Sequence, residues 1–368
     1  MPSLDQPLRV GSLDLKHRVV LAPLTRYRAD DDHVPLDFVK DYYEQRASVP
    51  GTLLITEGTF ITKRAGGNRN VPGIWNDTQI EKWKEITDAV HKKGSYIFCQ
   101  LWALGRAAKP AVLREENSRL ISSGNIPMSP ESPVPEPLTE EEILEWIQDY
   151  ATAAKNAISA GFDGVEIHGA NGYLPDQFLQ DTSNNRADSW GGSVENRSRF
   201  GFEVAKAVSS AIGAERVGYR VSPWSPFQGM KMDDPVPQFS DITKKLAGLK
   251  IAYLHVVEPR ISGSQTIEAK EQAVDFLIDA FHNDGVVILA GGFTAETANL
   301  AIETHAPHKI AIAFGRYFVA NPDLPYRLLN NIELNPYNRD TFYVPKSKVG
   351  YIDYPFSKAS IQEVEVQP

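Results

Sequence analysis

Cysteine is almost missing. Cys99 is the only one in 368 residues, so no internal disulfide can form, and a reducing cytoplasm suits the chain. No run of 18 apolar residues occurs, which argues against a transmembrane helix. The opening residues, Met1-Pro-Ser-Leu-Asp-Gln6, hold no basic segment followed by an apolar one, so no secretory leader is expected. The final residues match no common lipid or organelle signal. Basic runs are absent too, and the net charge is −9. Nucleic acid and anionic membranes are therefore not expected partners. The eight histidines show no metal-ligand spacing, so no metal site is expected. Neither a serine nucleophile elbow nor a kinase-type loop is present. What remains, 42% hydrophobic and 23% charged, is ordinary globular composition.

Strand-like and helix-like segments alternate along this chain. Residues 18–24, 52–58, 96–102, 164–168, 216–222, 251–257, 286–291 and 309–314 read as strands. Helices are predicted over 36–47, 77–93, 140–160, 195–212, 237–249, 273–282 and 295–304. Asn76 with Gln79, and Thr139 with Glu142, have capping-box spacing, and Gly94 stops the second helix. A further helix is predicted to start at Asn321-Pro322. Eight units imply an α/β fold: one (β/α)8 TIM barrel domain over residues 1–368. A doubly wound sheet is the alternative, but no Gly-rich turn follows the first strand. Residues 8–15 read as an N-terminal hairpin closing the barrel bottom. The long insertion after strand three, 106–137, reads as a lid or substrate wall, or else as a mobile loop.

Chemistry concentrates at the predicted top of the barrel. His168-Gly-Ala-Asn171-Gly-Tyr173 follows the fourth strand and brings an imidazole, a carboxamide and a phenol within six residues. Two of these can hold a carbonyl oxygen and the third can deliver a proton. Strand alternation turns Gln100, His168 and Arg220 to the interior from three successive strands. Glu166 shares the His168 face, so an ion pair with Arg220 is one reading. Gly291-Gly292 after strand seven and Gly315-Arg316 after strand eight sit where barrels commonly bind phosphate. There glycines admit backbone N–H groups, and Arg316 offers a bidentate fork. A phosphate beside a polar heterocycle describes flavin mononucleotide (FMN).

These residues, together with several further runs, resemble the Old Yellow Enzyme family of FMN-dependent ene-reductases, in its fungal form. The runs are Ala22-Pro-Leu-Thr25-Arg-Tyr-Arg28, Ile55-Thr-Glu-Gly58, Cys99-Gln-Leu-Trp102, residues 161–174, Trp190-Gly-Gly-Ser-Val-Glu-Asn-Arg197, Ala313-Phe-Gly-Arg316 and Gly350-Tyr351-Ile-Asp-Tyr-Pro355. The resemblance implies FMN at the barrel top, with NADPH or NADH as hydride donor. It implies that Pro23, Thr25, Gly58, Gln100 and Arg220 contact the isoalloxazine, and that Gly291, Gly292, Gly315 and Arg316 hold the phosphate. It further implies that His168 and Asn171 bind an enal or enone carbonyl, that Tyr173 protonates Cα, and that Trp102 and Tyr351 line the substrate pocket.

The expected activity is reduction of an electron-poor alkene. Three alternatives stand beside it: a redox-neutral flavin-dependent isomerase of an alkaloid-type enal, a flavin-free barrel lyase, and a non-catalytic ligand-binding barrel.

Overall fold

The computed structural model describes residues 2–263, 265–268, 272–281 and 285–361. Eight parallel strands close into a barrel: β1 (Val19–Leu21), β2 (Leu53–Ile55), β3 (Tyr96–Trp102), β4 (Gly164–His168), β5 (Val217–Val221), β6 (Tyr253–Val257), β7 (Val286–Ala290) and β8 (Ile310–Phe314). Each pairs with the next, and β8 pairs with β1 to complete the ring. The packed helices are α1 (Val39–Arg46), α2 (Asp77–Lys92), α3 (Glu140–Ser159), α4 (Val194–Ile212), α5 (Val236–Gly248), α6 (Asp275–Ala280), α7 (Ala295–Thr304) and α8 (Arg316–Ala320). Among the described residues, no helix is long and apolar enough to cross a membrane.

The period-two pattern divides the strand residues between two cores. Ile97, Cys99 and Leu101 face the helices, while Phe98 joins Val20, Leu53, Ile55, Tyr253 and Ile288 inside the barrel. The hairpin Leu8–Val10 with Leu13–Leu15 adds Leu8, Val10, Leu13 and Leu15 to that interior cluster. It therefore plugs the barrel bottom. A fully buried aliphatic side chain contributes about 1.5–3 kcal/mol.

Helix starts follow the local chemistry. Thr139 and Glu142 form the complete capping box of α3. Only half of the second box forms. Asn76 Oδ1 accepts the Gln79 N–H, but Gln79 Oε1 accepts from Trp75 instead. β3, β4 and α7 have the expected bounds; several other elements are shorter. β2 stops at Ile55 because the Thr56 hydroxyl, rather than a strand carbonyl, accepts the Gln100 N–H at 3.0 Å. His282, the expected end of α6, lies outside the described residues.

Two expectations need correction. The insertion after β3 is not among the linings of the top cavity. It contains the helix Pro110–Glu115 and a short ladder between Ile121–Ser122 and Glu136–Pro137. Ser122 and Ser123 bond Gln177, and Ala108 and Leu113 pack in the Trp102 cluster. The segment buttresses the wall from behind. Asn321-Pro322 does not start a helix. Asn321 instead cross-links the Tyr317 and Asn335 backbones, and the next helix, Leu324–Leu329, starts after Asp323.

Candidate active site

A cavity of about 450 Å³ opens at the C-terminal ends of the strands. It brings together Pro23, Thr25, Gln100, Trp102, His168, Asn171, Tyr173, Arg220, Gly291, Gly292, Gly315 and Arg316.

Its floor is a polar layer supplied by four adjacent strands. Glu166 Oε1 accepts the Gln100 amide and Oε2 accepts His255 Nδ1, both at 2.8 Å. Register sets Arg220 beside His168 on one side and His255 on the other. The expected direct pair between Glu166 and Arg220 is absent. The two interact through space, and His255 takes the carboxylate hydrogen bond. Glu166 is fully buried, which alone pushes its pKa up. His255, Arg220 and Gln100 outweigh that cost and hold it below the ordinary value, so it is ionised. His168 is held well below the usual imidazole range by burial, then by the charges of Arg220 and His255, and is therefore neutral. Arg220 Nε is buried and unpartnered. A buried guanidinium N–H without an acceptor is costly, so this atom points to a ligand.

The next group up is the turn after β4. Asn171 adopts φ 57°, a left-handed conformation that Asn tolerates better than most residues. Its N–H donates to Ser222 Oγ at 2.7 Å, and its carbonyl accepts from Gln228 Nε2 at 2.6 Å. The backbone is pinned from both sides, yet Asn171 Oδ1 has no partner. Gly172 follows with φ 77°, where a Cβ would come within 2.9 Å of Met230. His168 Nδ1 is also buried and unpartnered. The Tyr173 ring stands edge-on to both Trp102 and His168, with centroids 4.9 and 4.8 Å away. Burial raises the Tyr173 pKa and the neighbouring Tyr27 adds to this, while the Gln228 amide opposes it. The phenol therefore keeps its proton. One wall thus offers two unsatisfied polar groups beside a protonated phenol.

The far end is narrower. A Cβ on Gly292 would lie 3.2 Å from an Arg316 guanidinium nitrogen, and one on Gly315 would lie 3.2 Å from Leu24. Arg316 donates to Thr266 Oγ1, and its guanidinium lies 5.7 Å from the Tyr337 ring centroid. No carboxylate among the described residues neutralises it. A guanidinium without a carboxylate partner, next to a glycine-lined end, suits a phosphate. The unpartnered Arg220 Nε and the polar floor suit a hydrogen-bonding heterocycle. These residues fit FMN. Among the described residues, no group of three or more His, Cys, Asp and Glu is arranged to hold a metal ion.

Two expected site residues lie elsewhere. Tyr351 is fully buried and does not line the cavity. It stacks on Tyr42 at 4.1 Å and lies under the Arg26 and Arg28 guanidinium groups. Gly58 is not among the linings either. It makes room for Trp102, whose ring would lie 2.5 Å from a Cβ there. In their place the cavity takes Tyr27, Asn68, Phe342 and Tyr343 from loops, and Phe227 from the short 3-10 turn Phe227–Gly229. His255 was legible from alternation on β6, because it shares a face with Tyr253. The loop residues carry no such period.

Comparison with known proteins follows the same lines. The NADH:flavin oxidoreductase / NADH oxidase family matches residues 3–335. A chanoclavine-I aldehyde reductase of Penicillium roqueforti is 54% identical, covering 99% of both chains. A probable inactive reductase of Epichloe festucae var. lolii is 49% identical, covering 99% of this chain and 98% of its own. The crystal structure of Old Yellow Enzyme from Pichia sp. AKU4542 superposes with a TM-score of 0.90 at 39% identity, covering 97% of this chain and 94% of that one.

Proposed function

The chain belongs to the NADH:flavin oxidoreductase / NADH oxidase family, and from that premise we propose that it reduces the C=C bond of α,β-unsaturated aldehydes or ketones at the expense of NADPH or NADH. FMN is its cofactor, which sets aside the flavin-free barrel. One relative is named for reducing an aldehyde, which supports a carbonyl-bearing substrate. Another is named a probable inactive reductase, so membership alone does not carry catalysis. The observation that carries the reading is the wall of His168, Asn171 and Tyr173, with unpartnered polar groups on the first two and a protonated phenol on the third.

Bound FMN would supply hydride chemistry, coupling oxidation of a nicotinamide to reduction at the β carbon of the substrate. Arg220 and Arg316 neutralise negative charge at the ring and phosphate ends. Gln100, Thr25 and Pro23 line the cavity and would hold the flavin ring. The His168 imidazole and the Asn171 amide, turned with its N–H inward, donate to the carbonyl oxygen, where negative charge develops. A well-placed donor of this kind contributes about 2.7–4 kcal/mol. Tyr173 gives its proton to the α carbon. Trp102 closes the wall behind it.

The test is spectroscopic. Purified protein should be yellow, bleach anaerobically with NADPH or NADH, and recover colour on addition of cyclohexenone with formation of cyclohexanone. A reduced protein that oxygen reoxidises but enones do not would overturn the proposal.

A further inference from the structure

Asn68 stands out among the cavity linings. Its residue is 9% exposed, its Oδ1 is buried without a partner, and its carboxamide makes no hydrogen bond among the described residues. The loop that carries it is fixed on both sides. The Lys109 N–H donates to the Gly67 carbonyl, and a Cβ on Gly67 would lie 2.5 Å from Ala108. Asn70 donates through its side chain to Ala29 and Asp31 and accepts the Ala29 N–H on its carbonyl. A rigid loop thus holds an unsatisfied carboxamide at a cavity whose lining also includes Tyr27, Trp102, Phe227 and Tyr343. Leaving a buried amide unmatched is unfavourable. Packing does not demand an amide here, since an apolar side chain of the same size would fill the space without that cost.

We propose that Asn68 is a specificity-determining residue, and that the substrate is an electron-poor alkene bearing a hydroxyl or amine in addition to its carbonyl, on an apolar frame. No protein partner fixes the amide, so either end can turn to the ligand, and a hydroxyl can both donate and accept. The inference rests on the proposed carbonyl anchor at His168 and Asn171. The anchor holds the reacting end, and Asn68 reads the second polar group. A site built around a substrate hydroxyl discriminates against the analogue that lacks it, because its own polar group is then left bare.

The test uses the holoenzyme and non-reducible phenols. Their oxygen occupies the carbonyl anchor, and binding is followed by the long-wavelength band formed with oxidised flavin. Hydroxymethylphenols are paired with the isosteric ethylphenols, in both meta and para series. Dissociation constants are measured for wild type, for Asn68→Leu, which keeps the size, and for Asn68→Gln, which keeps the amide. In at least one series, the ratio of ethyl to hydroxymethyl constants should fall about tenfold from wild type to Asn68→Leu, with partial recovery in Asn68→Gln. Ratios that agree between wild type and Asn68→Leu in both series would overturn the proposal while leaving the anchor intact. If none of the phenols gives the band with wild type, the anchor fails and this inference falls with it.

Discussion

Gln100 donates its amide to Glu166 across 2.8 Å on the cavity floor. An ionised carboxylate can only accept, so the Gln100 N–H must face it and the Gln100 carbonyl is left for the cavity. Glu166 therefore decides which polar atom Gln100 presents, and its charge partly balances that of Arg220. Glu166→Gln removes that negative charge and should make the flavin easier to reduce. A unit charge a few ångströms away commonly shifts an ionisation by about 1–3 units, so a change of about tenfold or more in the reduction equilibrium is expected. Equilibration with reference dyes measures the potential, and thermal melting checks the fold. A potential that stays put or falls in a well-folded variant would count against this role.

Arg316 places beside Gly292 and Gly315 a guanidinium that no carboxylate among the described residues neutralises. Arg316→Ala should weaken FMN binding by about 1.5–3 kcal/mol, or roughly 10- to 150-fold, the usual loss for a hydrogen bond to a charged group. FMN fluorescence released on dilution reports the dissociation constant. An unchanged constant would move the phosphate elsewhere.

The parts of this site that ride on strands were legible in the sequence, because alternation is a property of the local backbone. Gln100, His168 and Arg220 fall on inward positions of β3, β4 and β5, and the cavity gathers all of them. The mouth was not legible. Phe342 and Tyr343 arrive on a C-terminal segment whose course is set by distant cations. Arg26 bonds the Phe342 and Gly350 carbonyls, and Arg28 bonds those of Thr341, Phe342 and Ser347. Nothing in the spacing of either segment announces that contact. Tyr351 was misplaced for the same reason. The stack with Tyr42 beneath two arginines is a tertiary arrangement that a motif does not encode.

Asp176 makes stability depend on pH. It is buried below the turn at Asn171 to Tyr173, accepting the Gly172 N–H on one oxygen and the Gln180 amide on the other. Burial dominates over these bonds and raises its pKa from the ordinary carboxylate value to about 7. A raised acid binds more protons folded than unfolded. Its contribution is therefore fully present below the unfolded value near 3.8 and is lost as pH rises through about 7. Asp176→Asn lacks this loss. Denaturant melts should show the variant gaining on wild type between pH 4 and 7, with the difference level above that. A difference that stays flat across this range would show that Asp176 ionises at its ordinary value, and one that shrinks as pH rises would show a lowered value; either would count against the burial effect.

As the proposed proton donor, Tyr173 should divide the two half-reactions. Its ring packs edge-on against Trp102 and His168, so Tyr173→Phe keeps the wall and removes only the proton. Taking hydride from the nicotinamide needs no proton from this wall, and flavin reduction should stay within about twofold of wild type. Reoxidation by cyclohexenone needs a proton at the α carbon and should slow by roughly 10²–10⁴-fold, the usual loss for a positioned acid. Nitroalkenes, whose reduced product is stable as an anion, should suffer less. The pH dependence gives a second check. With its pKa raised by burial, the phenol stays protonated beyond the ordinary value near ~10. The wild-type reoxidation rate should then be flat from pH 6 to about 9.5. Stopped-flow traces of both half-reactions across that range decide the matter. Equal slowing of both steps in Tyr173→Phe, or slowing of neither, would remove Tyr173 from the proton path.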